Sequence, residues 1–395
     1  MKYVIYFLIL LGFGCQIDHS IETKKSDTSK HLVLIYMDAD NDLEKAAIED
    51  INELESIDLT DSGFKIVVLL DRIGGYDKSN GDWTDTRLFE ITYDKNGLDN
   101  RIVSKRLYGM GLKEGQNVEL NMGDPNTIKT FITFVKSSYD FKYSSLIIWN
   151  HGGGWRSLSV DQEKIFKSIC WDYSDNFDNL LMAELSQGLK GESFDLIGFD
   201  ACYMGMIEVG YQLKDITGII IGSEDEEPED GWDYRDIFTS AILLNSDPLN
   251  FANVIVDSYR ENSSPYNYTL SAFYTKDFEA LVSKLDSFIA YLQHIDTFQI
   301  LDARGFTVDF NNDTNIDLRD FACQFTSSSE AITLINKIDS IVFNNWSNQF
   351  YKKCGGLAIY FPAPNNWGEL YYYNDENIDF TKDTKWDEFI KNILQ

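Results

Sequence analysis

Eight short runs of apolar, β-forming residues recur along this 395-residue chain, and stretches of helical periodicity stand between them. The runs are His31 to Met37, Lys65 to Leu70, Arg87 to Tyr93, Ser145 to Asn150, Asp195 to Asp200, Gly218 to Ser223, Thr269 to Thr275 and Gly356 to Pro362. Helical spacing is clearest over Asp42 to Ile57, Asn126 to Ser138, Asn179 to Lys190, Gly205 to Lys214 and Lys276 to His294. The alternation predicts an α/β fold: a mostly parallel sheet covered by helices on both faces. With 44% hydrophobic residues the chain has material for one large domain or two smaller ones. It carries no repeat and no low-complexity tract.

In such a sheet the functional crevice lies at the carboxyl ends of the parallel strands. There the sequence concentrates unusual loops: "DADND" (Asp38 to Asp42), "DRIGG", His151 followed by Gly152, Gly153 and Gly154, the pair Ala201 and Cys202, and "EDEEPEDGWDY" (Glu224 to Tyr234). Adjacent glycines cost conformational entropy and pack nothing, so they mark a place where a Cβ would block a close approach. The expectation is that substrate backbone lies against them.

Elimination narrows the chemistry. Of four histidines, His19 and His31 fall in or beside a polar N-terminal stretch, and His294 falls in a helix as a structural residue. His151 is the one placed for catalysis. Cys170 and Cys323 sit in apolar surroundings where inert thiols are common, and Cys354 precedes a strand. None is spaced for zinc. Cys202 follows a strand and is expected to open a helix, where the helix dipole and a nearby imidazole would lower its thiol pKa. Taken alone, Cys202 reads as a small buried hydrophobe at a strand end. Paired with His151, it is chemically sufficient for acyl transfer.

The N-terminus runs from Lys2 through an apolar stretch, Tyr3 to Phe13, to Gly14 and Cys15. The stretch is too short to anchor in a bilayer, and it reads as an export signal over residues 1–14. Cys15 at the cut site resembles the lipobox of bacterial lipoproteins, which implies a lipid-anchored mature chain; residues 15–30 then read as a flexible tether. The formal net charge of -30 argues against a nucleic-acid partner and favours cationic ones.

His151 and Cys202 are 51 positions apart (202 - 151), each at a strand end, close to the spacing in caspases. "IIWNHGGGW" and "FDACYMGMIEV" resemble the histidine and nucleophile motifs of the clostripain-like (C11) cysteine peptidases. "LIYMDADNDLE", "GSEDEEPEDGWDY", "GLAIYFP" and "TKWDEFI" are similar to further motifs of that family, so the resemblance spans residues 31–395. One departure is Glu229, where a glycine is typical.

The resemblance implies a caspase-like α/β/α sandwich and cleavage after Arg or Lys. His151 would be the general acid/base and Cys202 the nucleophile, and the Gly152 and Cys202 amides would form the oxyanion hole. It names no third catalytic residue and requires no cofactor. Asp200 would hold the basic P1 side chain, with helix N-capping as its structural alternative, and Asp230 is the second pocket candidate, with Glu224, Asp225 and Glu227 as its alternatives. Trp155 either packs beside the site or fills core. Lys164 and Lys167 offer a self-cleavage site in a polar loop. "DFNNDTNIDLRD" places Asp309, Asn311, Asp313, Asn315, Asp317 and Asp320 at calcium-loop spacing, although Thr314 stands where the turn wants glycine. The chain is expected to act as a monomer on peptide substrates. The competing reading is a silent surface lipoprotein that binds cationic peptides.

Overall fold

The computed structural model describes residues 26–155, 168–262, 269–310, 314–364 and 378–394. Cys15, Lys164 and Lys167 lie outside them. The central sheet contains β1 (Ser26–Ala39), β2 (Phe64–Arg72), β3 (Arg87–Glu90), β4 (Lys105–Leu107) and β5 (Tyr139–Trp149). After the small hairpin of β6 (Ile169–Asp172) and β7 (Asp178–Leu180), it adds β8 (Phe194–Asp200), β9 (Thr217–Gly222) and β10 (Thr269–Tyr274). Two short strands, β11 (Asp309–Phe310) and β12 (Asn315–Asp317), precede its last member, β13 (Val342–Ser347); β14 (Ala358–Tyr360) follows. The order is β13-β10-β9-β8-β5-β1-β2-β3-β4. Strands β9, β8, β5, β1 and β2 are mutually parallel, and both edges are antiparallel.

The pleat explains why the parallel strands read as continuous apolar runs. Leu32, Leu34 and Tyr36 of β1 enter one core, while Val33, Ile35 and Met37 enter the other. Strand β5 divides the same way, Leu146 and Ile148 against Ile147 and Trp149. Three helices cover the second face: α1 (Glu44–Glu55), then, beyond α2 (Pro125–Ser138), α3 (Met182–Gly188) and α4 (Ile207–Leu213) in the chain, α5 (Tyr234–Leu243) and α6 (Pro248–Glu261). Helices α2, α3 and α4 cover the first face, joined by α7 (Phe278–Leu292), α8 (Thr297–Phe306), α9 (Leu318–Cys323) and α10 (Ser329–Ile341).

Chain path fixes where a crevice opens. From β1 the chain crosses to β2 in one direction with α1 on the second face; from β5 it steps through β8 to β9 in the other, with α3 and α4 on the first face. Right-handed crossovers in opposite directions put their helices on opposite faces, so the loops after β1 and β5 part and leave a crevice at the switch point.

Several expectations need correction. Strand β1 begins at Ser26 and its N-terminal part pairs with β5, so the end of the expected tether is sheet. His31 is fully buried, its Nε2 2.8 Å from Ser145 Oγ, and burial pushes its pKa down to about 4. His294 is exposed just past α7. The "GLAIYFP" run leaves the central sheet and forms β14 of a separate three-stranded sheet with β11 and β12. Among the described residues no helix is long and apolar enough to cross a membrane.

Candidate active site

Four strand ends build the site. His151 follows β5, Asp42 follows β1, Cys202 follows β8 and Glu227 lies in the loop after β9. These residues, with Trp149, Asn150, Asp200, Ala201 and Glu229, line one cleft of about 240 Å³. His151 and Cys202 are the histidine and cysteine of that lining.

His151 is a quarter exposed and its Nε2 stands 2.8 Å from Asp42 Oδ1. The Tyr173 hydroxyl donates to the same oxygen at 3.3 Å. The imidazole holds the Asp42 carboxyl below its ordinary range, although burial opposes it. Sequence reasoning missed this partner. The "DADND" loop was visible as a strand-end loop, yet nothing in spacing says which of its acids meets a histidine 109 positions away.

Gly152 has a structural requirement that spacing does not reveal. A Cβ on Gly152 would fall 2.3 Å from the Cys202 carbonyl oxygen and 2.9 Å from its nitrogen. Gly152 therefore lets the histidine loop press against the backbone of the nucleophile loop. Asn150 braces the junction: its amide nitrogen donates to the Asp200 carbonyl at 3.3 Å and its side chain to the Asp38 carbonyl at 2.5 Å. Trp155 packs edge-on against Tyr360 in the core and does not line the cleft.

Cys202 does not open a helix. Tyr203 beside it has φ 61, and α4 starts only at Ile207, so the helix dipole is too far along the chain to act on the sulfur. Burial pushes the thiol pKa up to about 12, against the expected lowering, and neighbouring carboxylates add to the rise. The Glu227 N–H donates to Sγ at 3.2 Å, and the thiol lies 3.8 Å from the Glu227 carbonyl oxygen. At rest the sulfur is a protonated, half-buried thiol in the cleft lining. The other described cysteines, Cys170, Cys323 and Cys354, are free, and burial raises the pKa of each.

Asp200 is buried at the floor. Its Oδ2 accepts from the Tyr234 hydroxyl at 2.9 Å and from the Trp232 amide at 3.4 Å. It caps no helix, since the residue before α4 is Met206. Gly231, with φ +58, allows its loop to close on this carboxyl, where a Cβ would come within 2.8 Å of Oδ1. Burial raises Asp200 to about 6, and the adjoining Glu227 carboxyl is raised further by burial and by Asp200. Asp50, held by the Trp149 Nε1 donor at 2.7 Å, adds a third buried acid behind them. Asp230 is exposed and lines a neighbouring acidic groove with Glu49, Asp50 and Glu53 instead of this cleft.

The calcium-spaced segment does not form a loop cage among its described residues. Asp309 pairs with Arg304 at 3.1 Å, Asp317 caps α9, and Asp320 accepts from the Val308 amide. Asn311 and Asp313 lie outside the described residues.

A family model described as the clostripain family matches residues 35–392. The chain belongs to the clostripain family. Clostripain of Hathewaya histolytica is 27% identical over 420 residues, covering 89% of this chain and 78% of that protein. The fold is shared with a secreted C11 cysteine protease of Bacteroides thetaiotaomicron, solved with an irreversible peptide inhibitor, at TM-score 0.66 and 20% identity over 91% of this chain and 100% of the other. It is shared too with an inactive zymogen C11 protease of Parabacteroides distasonis, at TM-score 0.62 and 19% identity over 94% and 99%. This member of the clostripain family is thus a cysteine peptidase with a caspase-like α/β/α architecture.

Proposed function

We propose that the chain is an exported, lipid-anchored endopeptidase that cuts after Arg or Lys and acts as a monomer on protein or peptide substrates. The observation that carries this reading is the floor of the cleft: a histidine and a thiol open onto two adjoining buried carboxyls, Asp200 and Glu227. A guanidinium or ammonium entering there would replace their shared proton with a charge-assisted contact.

The chemistry follows from the resting state. The thiol is protonated, so His151 must take its proton as Sγ leaves the Glu227 contact and attacks the scissile carbonyl. The Gly152 and Cys202 amides would hold the oxyanion, which fits their enforced closeness. His151 then protonates the leaving amine, and water hydrolyses the thioester on Cys202. Bond breaking requires no cofactor and involves no nucleic acid. Export with acylation at Cys15 rests on the N-terminal sequence, and the related Bacteroides protease is described as secreted. Self-cleavage after Lys164 or Lys167 is part of the reading; a single unbroken chain in the mass spectrum of active enzyme would refute that part.

The test uses protein from His19 onward, with and without Cys202→Ala, and fluorogenic peptides bearing Arg, Lys, Asp or Leu at P1. Release after Arg and Lys alone, absent in the variant, is expected. Release after Asp or Leu would keep the nucleophile and remove the acidic pocket. No release from folded, reduced protein would favour a binding lipoprotein.

A further inference from the structure

We propose that Glu227 couples P1 recognition to the nucleophile: a cation seated on its carboxyl draws its main chain off Cys202 Sγ and so frees the sulfur to attack. This rests on the reading of the cleft floor as a pocket for Arg or Lys, and it adds what a filled pocket does to the thiol.

Glu227 meets the two halves of the cleft with different atoms. Its main chain holds the sulfur: the amide donates to Sγ at 3.2 Å, and the carbonyl oxygen lies 3.8 Å from it. Its side chain belongs to the floor, where both carboxyl oxygens are buried without a donor. Burial first, and then Asp200, raise that carboxyl. Buried acceptors are rarely left unmet unless a guest supplies the donors. A guanidinium or ammonium brings several donors together with the charge that the two acids lack.

The loop is built to pass such a motion on. It bridges the nucleophile and is pinned on either side of it: the Asp225 carbonyl accepts from the Tyr203 amide at 3.0 Å, and the Trp232 amide donates to Asp200 Oδ2 at 3.4 Å. Glu227 lies between these pins. Pro228 follows it, which restricts the Glu227 backbone to extended shapes, and the Gly231 amide closes the turn on the Pro228 carbonyl at 2.9 Å. With its ends fixed and its middle stiff, the segment cannot turn the Glu227 carboxyl toward a guest without shifting the peptide units on either side. Those are the units that touch Sγ.

That contact bears on reactivity. The N–H on sulfur favours the charged form but lowers its intrinsic nucleophilicity, and it keeps Sγ at the loop instead of at a substrate carbonyl. Burial holds the proton on the thiol, and Glu227 is foremost among the carboxylates that add to the rise. A cation beside that carboxyl offsets its charge and favours the thiolate, whose proton passes to His151. An empty cleft then keeps its thiol quiet, and P1 selectivity is expressed in kcat as well as in KM.

The experiment alkylates reduced full-length protein with iodoacetamide, which carries no P1 group, and follows Cys202 by peptide mass spectrometry. The thiolate displaces iodide as the S–C bond forms, and the thiol proton goes to His151. Rates are compared without ligand and with saturating n-propylguanidine, n-butylamine or neutral n-butanol, and calorimetry measures the binding of each. Cys323, half-buried in a separate groove, is the internal reference. Both cations should bind and speed alkylation of Cys202 relative to Cys323 by about fivefold or more, with butanol inert. Glu227→Gln, nearly isosteric, should lose the acceleration at a ligand concentration that saturates it, with its melting temperature unchanged. Cations that bind wild type without acceleration would overturn the coupling and leave the P1 pocket standing. Absence of binding would remove pocket and coupling together. Acceleration by butanol, or full acceleration in Glu227→Gln, would also overturn the proposal.

Discussion

Two acid clusters lie on the same sheet edge, one on each side of the loop that carries His151. The first, Asp200 with Glu227 and Asp50, has the Tyr234 hydroxyl and the Trp232 amide on Asp200 and the Trp149 indole on Asp50, while both Glu227 carboxyl oxygens are buried without a donor. The second, Asp38 with Asp40, Glu119 and Asp172, has backbone and serine donors on two members and a bare oxygen on a third. Both clusters thus bury acceptors without a donor, and burial raises the carboxyls of each; they differ in place, the first lining the cleft with His151 and Cys202 and the second lying outside that lining.

The comparison can be broken, and the largest effect is expected at Asp200. Asp200→Asn should lower kcat/KM for Arg and Lys substrates by roughly a hundredfold, the loss of about 3 kcal/mol of charge-assisted bonding. An equal loss in turnover of an electrophilic probe that lacks a P1 cation would mean that the residue is structural.

Asp42 joins the two regions. Asp42→Ala should reduce kcat by about tenfold with KM little changed, because the residue orients the imidazole and touches no substrate; the carboxylate is half exposed, which limits the effect. A change confined to KM would sink that role.

Proton occupancy sharpens the contrast. Burial raises Asp200 to about 6, so the carboxyl proposed to hold P1 is ionised above that pH and neutralised below it. kcat/KM for basic substrates should fall as pH drops through about 6, up to tenfold per unit. A flat profile there would separate the pocket from Asp200.

The smallest effect concerns stability. Asp38→Asn removes the buried carboxyl's charge, and burial already holds that carboxyl well above its ordinary pKa. At neutral pH the variant should be as stable as wild type or more stable, by about 1 kcal/mol. Paired urea melts would show it, and a clear loss of stability would mean that the fold needs the carboxylate.

How much of this was legible beforehand depended on range. The parallel strands were, because burial on both faces forces long apolar runs; β14 was misplaced since its run reads the same whichever sheet receives it. His151 and Cys202 were legible by elimination and by motif. Trp155 was undecidable, since an aromatic beside a loop has the same neighbours in sequence whether it points to cleft or core.

The sequence by itself determined the α/β class, the strand-end positions of the histidine and the thiol, and the family, because these depend on local periodicity and short motifs. Tertiary structure alone decided that Asp42 meets His151, that the Glu227 amide contacts the sulfur, that Gly152 serves a contact between loops, and that Asp230 faces another groove. Each depends on which loops the switch point brings together and how deeply they bury a charge. Neither quantity is carried by a residue's neighbours in the chain.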